Sequence, residues 1–174
     1  QLGLGHRRLS VIDLSKAGGQ PMWYKNFCII FNGEIYNYAE LKDELESLGH
    51  AFNTHSDTEV ILHAWEQWNT GMIHKFIGMF VFVIYDKQSE ELYCYRDRPG
   101  VKPFYYCWSN GLFLFASELK SLMKHPLFKK DINLDAAAAY LQLGYVPTPY
   151  CIFKNCHKLK PGCYLRLDLQ SKKI

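Results

Sequence analysis

The sequence of 174 residues lacks the features that mark several large protein classes. It has no internal repeat and no low-complexity segment, and no apolar run approaches the ~20 residues that a membrane-spanning helix needs. Its net charge of +3 is small and its lysines are scattered, whereas nucleic-acid-binding proteins carry a concentrated basic surface. We therefore expect a protein that binds neither nucleic acid nor membranes.

Common catalytic and metal-binding signatures are also missing. There is no glycine-rich phosphate loop and no Gly-x-Ser-x-Gly nucleophile turn. The six cysteines form no Cys-x-x-Cys pair, so zinc-binding spacing is absent. A group near the C-terminal end is too poorly spaced for zinc: Cys151, Cys156, His157 and Cys163. The sequence predicts no metal site.

Three other cysteines lie inside apolar, strand-like runs: Cys28, Cys94 and Cys107. A free cysteine in such a run packs as a small apolar residue. Since no secretion signal is visible, this usage predicts a reduced, cytoplasmic protein.

Hydrophobic residues make up 48% of the chain and aromatic residues 16%, which favours strands. Continuous apolar runs predict buried strands at 27–31 and 79–85, the first ending in an Asn32-Gly33 turn. Helical spacing predicts helices at 37–48, capped by Asn37, and 57–68. Further strands are predicted at 91–96, 102–108, 111–116 and 164–169, and short helices near 117–124 and 134–143. Strands with segregated helices indicate an α+β fold.

Two polar segments could bind an anion or a developing negative charge. Arg8 opens an apolar strand, where its guanidinium suits a carboxylate, although a surface ion pair is the alternative. Asn32 and Gly33 place an amide donor beside an unhindered backbone N–H, the two donors that an oxyanion hole requires. A simple turn is the alternative there.

Two further segments are rich in charge. Asp57 opens a helix, where its carboxylate could cap the helix or bind a substrate ammonium group. The segment 96–103, Arg-Asp-Arg-Pro-Gly-Val-Lys-Pro, lies between two apolar strands. It is either a functional loop or a loop paired within itself.

Taken in order, these segments resemble one family. The motifs are Gly-His-Arg-Arg-Leu-Ser-Val-Ile-Asp-Leu-Ser at 5–15, Gly-Gly-Gln-Pro-Met at 18–22, Phe-Asn-Gly-Glu-Ile-Tyr-Asn-Tyr at 31–38, Ser-Asp-Thr-Glu-Val-Ile at 56–61, Arg-Asp-Arg-Pro-Gly-Val-Lys-Pro-Phe-Tyr-Tyr at 96–106, Ala-Ser-Glu-Leu-Lys-Ser-Leu at 116–122 and Lys-Leu-Lys-Pro-Gly at 158–162. Over its whole length the chain resembles the class II glutamine amidotransferase domain of glutamine-dependent asparagine synthetases.

The resemblance implies the N-terminal-nucleophile hydrolase fold, a four-layered αββα sandwich. It also implies a glutamine site. Arg8 would bind the α-carboxylate, with Leu9 and Val11 as further substrate-binding residues. The pairing of a guanidinium with a carboxylate matches the separate reading of Arg8 from its chemistry.

The remaining site residues follow from the same resemblance. Asn32 and Gly33 would form the oxyanion hole through the amide side chain and the backbone N–H. Glu34 and Asp57 would hold the α-ammonium group of glutamine, and Asn32 would contact the substrate as well. The nucleophile in this family is an N-terminal cysteine whose own α-amine serves as the base.

The sequence departs from the family pattern at both ends. It begins with Gln1, so we expect a glutaminase domain over 1–174 that lacks its first strand and helix and is inactive without its N-terminal cysteine. The synthetase domain is expected to be absent as well. Glutamine and a C-terminal synthetase domain of the same polypeptide are the implied partners, and a homodimer stays open. No cofactor is expected in this domain, whereas ATP and Mg²⁺ are implied for the synthetase domain.

Two alternatives to an asparagine synthetase remain. One is a non-catalytic module that keeps the fold and binds glutamine or a partner. The other is the glutaminase domain of a sugar-modifying amidotransferase, which shares these motifs. The enzyme interpretation is preferred because a chain without catalysis has no physical reason to keep this set of polar groups together: Arg8, Asn32, Gly33, Glu34 and Asp57.

Overall fold

The computed structural model describes residues 2–7 and 16–174. The chain divides into two compact units. The first unit contains the residues up to Tyr95 together with Arg166–Ile174, and the second unit contains Arg96–Leu165. The chain therefore leaves the first unit after Tyr95, builds the second, and returns to complete the first.

The first unit is built on a five-stranded sheet in the order β1-β2-β3-β4-β8. The strands are β1 (Met22–Tyr24), β2 (Phe27–Ile35), β3 (Gly78–Asp86), β4 (Glu91–Arg96) and β8 (Tyr164–Asp168). β2 and β3 pair antiparallel along their whole length, from Phe27 opposite Asp86 to Ile35 opposite Gly78. This long pairing makes β2 and β3 the centre of the unit.

The core of the first unit explains why β3 is apolar throughout. Residues 80–84 are all buried, and successive side chains of a strand point to opposite faces of the sheet. Both faces of β3 are therefore covered, as its continuous apolar run predicted. Phe80, Phe82 and Ile84 belong to a cluster that also includes residues of two helices.

Those helices are α1 (Tyr38–Ser47) and α2 (Asp57–Trp68). The observed bounds of α2 are those predicted from its apolar spacing, and Ser56 caps it by accepting a hydrogen bond from Thr58 N at 3.2 Å. The predicted cap of α1 is wrong, because the Asn37 side chain makes no capping bond. It donates instead to Lys75 O at 2.9 Å and accepts from Ile77 N at 3.0 Å.

The predicted end of the first buried strand is also wrong. Asn32 and Gly33 do not form a turn: they lie within β2, opposite Val81 and Phe80. β2 continues to Ile35. An Asn-Gly pair signals a turn because both residues tolerate positive φ, but here the glycine serves a close approach between two strands.

The second unit contains a three-stranded sheet in the order β6-β5-β7. Its strands are β5 (Tyr105–Ser109), β6 (Leu112–Ala116) and β7 (Cys156–Lys158), and its helices are α3 (Leu119–Leu122) and α4 (Leu134–Leu143). The predicted hairpin is confirmed, although β5 begins at Tyr105 and not at residue 102. Antiparallel pairing and separate helices in both units confirm the α+β class.

A disulfide joins two neighbouring strands of the second unit. Cys107 on β5 lies opposite Cys156 on β7, and the two sulfur atoms are bonded. The expectation that Cys107 is a free cysteine is therefore wrong, since strand pairing brings it to a partner 49 residues away in sequence. Cys28 and Cys94 are free and buried, as predicted. Among the described residues no helix combines the length and apolar character that crossing a bilayer demands.

Candidate functional site

The candidate site lies where β2 emerges from the core of the first unit. Cys28, Ile29, Ile30 and Phe31 are buried. The next three residues, Asn32, Gly33 and Glu34, are only half-buried, and Ile35 is fully buried again. A short polar window therefore interrupts an otherwise apolar strand, and it is accessible to a ligand.

The backbone of β2 directs its N–H groups to one edge in this window. The Phe31 N–H donates to Gln20 Oε1 at 2.6 Å, and the Ile35 N–H donates to Asp57 Oδ2 at 3.2 Å. Both groups therefore point away from β3. Because N–H directions alternate along a strand, the N–H of Gly33, midway between them, points to the same edge.

The conformation of Gly33 agrees with that direction. Its φ is +154°, and a Cβ built on it would meet the carbonyl oxygen of Met79 and lie 2.6 Å from the Cα of Phe80. The Cα of Gly33 is thus pressed against β3 while its N–H faces the opposite edge. A side chain would force the two strands apart, so this position requires glycine.

Asp57 closes the edge from the first turn of α2. Its side chain is buried, with 6% of the residue exposed. Burial raises the pKa of Asp57 to about 6, although the backbone N–H groups of Ile35 and Thr58 oppose the rise, and the nearby negative charge of Glu34 adds to it. Two carboxyl groups in one polar window make a favourable environment for a cation.

Gln20 is a site residue that the sequence did not assign a role. Its Oε1 accepts from the Phe31 N–H, and its Nε2 donates to Thr58 Oγ1 at 3.2 Å. The amide therefore ties β2 to the start of α2, next to Asn32 and Asp57. The signal available was its place in the Gly-Gly-Gln-Pro-Met segment at 18–22.

The structure thus brings four of the sequence-predicted site residues together. Asn32, Gly33 and Glu34 are consecutive on β2, and Asp57 bonds to the residue that follows them. The other three predicted residues lie outside the described part of the chain: Arg8, Leu9 and Val11.

The charged segment 96–103 is a structural loop. The Arg96 guanidinium donates hydrogen bonds to backbone carbonyls, from Nε to Lys102 O at 2.7 Å and from Nη2 to Gly100 O at 2.8 Å. The buried Asp97 carboxylate accepts from Val101 N at 2.7 Å and from Lys102 N at 3.0 Å. The interpretation of a loop paired within itself is confirmed, with backbone groups in place of opposite charges.

Comparison with known proteins gives a consistent picture. A family model described as a glutamine amidotransferase domain matches residues 1–174. A putative glutamine-hydrolyzing asparagine synthetase 2 of Methanocaldococcus jannaschii is 42% identical over 193 aligned residues, covering 99% of this chain. The glutamine-hydrolyzing asparagine synthetase 1 of Bacillus subtilis is 45% identical over 165 residues, covering 92% of this chain.

The chain spans only part of these relatives: 36% of the length of the first and 26% of the second.

Among solved structures, the glutamine phosphoribosylpyrophosphate amidotransferase of B. subtilis superposes with a TM-score of 0.62 at 20% identity. The superposition covers 94% of this chain and 32% of that one. At this identity the likeness establishes the fold, which is that of the N-terminal-nucleophile amidotransferases.

Proposed function

Since the chain belongs to the glutamine amidotransferase domain family, we propose that it hydrolyses glutamine to supply ammonia, as the glutaminase domain of an asparagine synthetase. The observation that carries this proposal is the polar window of β2. There an asparagine, a backbone N–H of Gly33 that points away from β3 and two carboxyl groups lie within one stretch of strand and the adjoining helix start. The names of the two relatives above favour aspartate over a sugar as the final ammonia acceptor.

The proposed recognition of glutamine uses its two charged ends. Glu34 and Asp57 bind the α-ammonium group, which offsets the cost of keeping Asp57 ionised in a buried position. Arg8 binds the α-carboxylate in a two-pronged contact, and Leu9 and Val11 contribute to the same side of the pocket. Binding both ends fixes the position of the side-chain amide for attack.

The proposed chemistry is acyl transfer through a thioester. The thiolate of an N-terminal cysteine attacks the amide carbon of glutamine, and the α-amine of that cysteine takes up the thiol proton. The Asn32 amide and the Gly33 N–H donate to the oxyanion that forms. Collapse of the intermediate breaks the C–N bond and releases ammonia, with the proton returned from the α-amine. Water then hydrolyses the thioester to glutamate.

The fate of the ammonia belongs to the same proposal. A C-terminal synthetase domain of the same polypeptide would use ATP and Mg²⁺ to activate aspartate, which the ammonia then converts to asparagine. The whole enzyme would accordingly be a cytoplasmic ligase of asparagine biosynthesis that binds a nucleotide. Its assembly as a homodimer is a further part of the proposal.

The oxyanion role is tested by Asn32→Ala in the full-length protein. Removing one oxyanion donor lowers kcat by about 10²–10³-fold, while the KM for glutamine changes much less because the charged ends of the substrate are still bound. Ammonia release from glutamine, followed in a coupled assay, measures both constants.

The matched control is Asn26→Ala, since Asn26 is an exposed asparagine that precedes the same strand. We expect its kinetic constants to equal those of the parent. If Asn32→Ala kept the parent kcat, the oxyanion role would be wrong. If the parent protein bound glutamine and released no ammonia, the non-catalytic module would replace the enzyme as the best interpretation.

A further inference from the structure

A second cluster of polar side chains lies farther along α2. His63 and Glu66 are one helical turn apart, so their side chains lie on the same face, and His50 approaches them from the segment between α1 and α2. His63 lies six residues after Asp57 on α2. The cluster includes none of the residues proposed to bind glutamine.

The candidate donor atoms of the cluster lie close together. His50 Nδ1 lies 2.9 Å from His63 Nδ1 and 3.8 Å from Glu66 Oε2. All three donor atoms lie within 4.8 Å of one another, and among the described residues this is the group able to hold a metal ion. Zinc bonds nitrogen and oxygen at about 2.0–2.2 Å, so tetrahedral donors sit about 3.4 Å apart. The observed separations bracket that value.

The outer contact of His50 matches that of a metal-binding histidine. Such a histidine usually directs its second ring nitrogen at a carboxylate or amide oxygen, which fixes the ring. His50 Nε2 lies 3.0 Å from Gln67 Oε1, within hydrogen-bond distance. His63 Nε2 lies 3.7 Å from Glu59 Oε1, which is beyond hydrogen-bond distance and allows only an electrostatic contact. Glu59 is itself held, because Asn53 N donates to it at 2.9 Å.

The third donor is also oriented by its neighbours. Tyr24 Oη donates to Glu66 Oε2 at 2.8 Å, and Lys25 Nζ contacts the other carboxylate oxygen, Oε1. These two contacts fix the orientation of the carboxylate, and they place the Tyr24 hydroxyl beside the proposed donor atom Oε2.

Aromatic rings enclose the side chain of His63. His63 is fully buried, and its ring packs 4.1 Å from that of Tyr24 and 4.3 Å from that of Phe52, between ring centroids. Glu66 retains 27% of its side-chain exposure, so an ion can enter past it.

We propose that His50 Nδ1, His63 Nδ1 and Glu66 Oε2 bind one divalent transition-metal ion, with Zn²⁺ the best match to two imidazoles and a carboxylate. A water molecule beside Tyr24 completes the tetrahedron. The ion joins the segment between the helices to α2, so the site is structural and independent of glutamine hydrolysis.

The experiment uses the full-length protein, free of any affinity tag and stripped of metal. It is titrated with Zn²⁺ by calorimetry and with Co²⁺ by absorption spectroscopy. We expect one site whose Co²⁺ spectrum shows nitrogen and oxygen ligation without thiolate-to-metal charge transfer, which distinguishes it from binding at the exposed Cys163. Zn²⁺ should also raise the Tm.

His50→Gln and Glu66→Gln each remove one ligand while leaving the buried His63 in place. Losing even an outer contact of a metal ligand weakens affinity about 10–100-fold, so each variant should lose at least that much, and its Tm should no longer respond to Zn²⁺. Gln67→Leu, which removes only the outer contact of His50, should fall in the 10–100-fold range. His74→Gln, at an exposed histidine, is the matched control and should bind as the parent does.

Two results would overturn the site. One is that the parent protein binds no Zn²⁺, or that every Zn²⁺ site of the parent is still present in His50→Gln. The other is Glu66→Gln and His50→Gln both binding with the parent affinity. In either case the contact between His50 and His63 is only an N–H···N hydrogen bond. Circular dichroism of each variant before titration shows that it is folded.

Discussion

At the scale of a single residue, the proposed role of Asp57 conflicts with its surroundings. To bind an ammonium group as proposed, its carboxylate must be ionised, yet it is buried and lies near the charge of Glu34. Functional residues are often held in environments that cost stability. Here the cost falls on the ionised form of Asp57, and a bound ammonium group reduces it.

The free-energy cost of ionising the buried Asp57 carboxyl group predicts how the stability of the protein depends on pH. The pKa of Asp57 is raised from 3.8 to about 6, so the folded state holds the proton more tightly than the unfolded chain does. The stabilisation is complete below pH 3.8 and is lost as the pH rises through about 6, a change of about 3 kcal/mol. Asp57→Asn removes this dependence while an amide oxygen can still accept from Ile35 N. The free energy of unfolding of Asp57→Asn minus that of the parent should therefore increase between pH 4.5 and about 7.

Urea unfolding at several pH values measures that difference. In parallel, Asp57→Asn should raise the KM for glutamine by about 10–100-fold, the range for a lost hydrogen bond to a charged group. Asp43→Asn, at an exposed position of α1, controls for charge removal and should change neither quantity. A flat difference in the free energy of unfolding across this pH range would contradict the buried-carboxylate explanation.

Residue chemistry was readable from the sequence where a residue type has few uses. An amide beside a glycine, and a carboxylate at a helix start, drew attention to Asn32, Gly33 and Asp57, which the structure brings together at one edge of β2. Their roles in binding and catalysis stay predictions. Gln20 could not be found this way, because its two hydrogen bonds reach residues 11 and 38 positions away. Such contacts are fixed by the packing of α2 against β2, which no local pattern encodes.

At the scale of elements, the pairing of β2 with β3 depends on Gly33. Gly33→Ala places a Cβ against the β3 backbone at a φ of +154°. The strain and overpacking should lower the free energy of unfolding by at least about 2 kcal/mol. Denaturant unfolding measures the change. The proposed glutaminase activity should fall with it, because the Gly33 N–H that is proposed to bind the oxyanion moves.

Gly71→Ala is the matched control for that prediction. A Cβ at Gly71 meets no atom within 4 Å, so the free energy of unfolding should stay within about 0.5 kcal/mol of the parent. Gly33→Ala with parental stability would show that β2 and β3 can separate without cost, which the register of their pairing does not allow.

Helix and strand bounds were predicted correctly where hydrophobic spacing determines them. They were wrong where a residue pair typical of turns was taken to end a strand. The apolar stripe of α2 set both of its bounds correctly. The start of β5 was wrong because Lys102 belongs to the preceding loop, where it is held by hydrogen bonds to Arg96 and Asp97. The end of β2 was wrong because a glycine can serve a strand contact as well as a turn.

At the scale of the molecule, the last strand completes the first unit. Leu167 on β8 is 1% exposed, and β8 is the edge strand beside β4. Leu167→Ala should lower the free energy of unfolding by about 2–5 kcal/mol, the usual cost of truncating a buried leucine. Thermal or urea unfolding measures it. Leu48→Ala, at a leucine that is 51% exposed, should cost far less, and equal costs would mean that β8 does not complete the core.

The family and the α+β class could be read from the sequence because its motifs are long and occur in order. The division into two units could not, since it depends on strands that are far apart in sequence. Nor could the bond between Cys107 and Cys156, which strand pairing creates across 49 residues. Long-range pairing is the information that local patterns lack.

Because the chain returns to its first sheet only after the second unit, β8 can pair with β4 only late in protein synthesis. Once β4 has left the ribosome, the 67 residues between Arg96 and Tyr164 must follow before β8 can begin to form. At about 5–20 residues per second, this takes about 3–13 seconds. During that interval the edge of β4 is unpaired, and an unpaired strand edge invites association with other chains. During this interval the unpaired edge of β4 is a target for chaperones on the nascent chain.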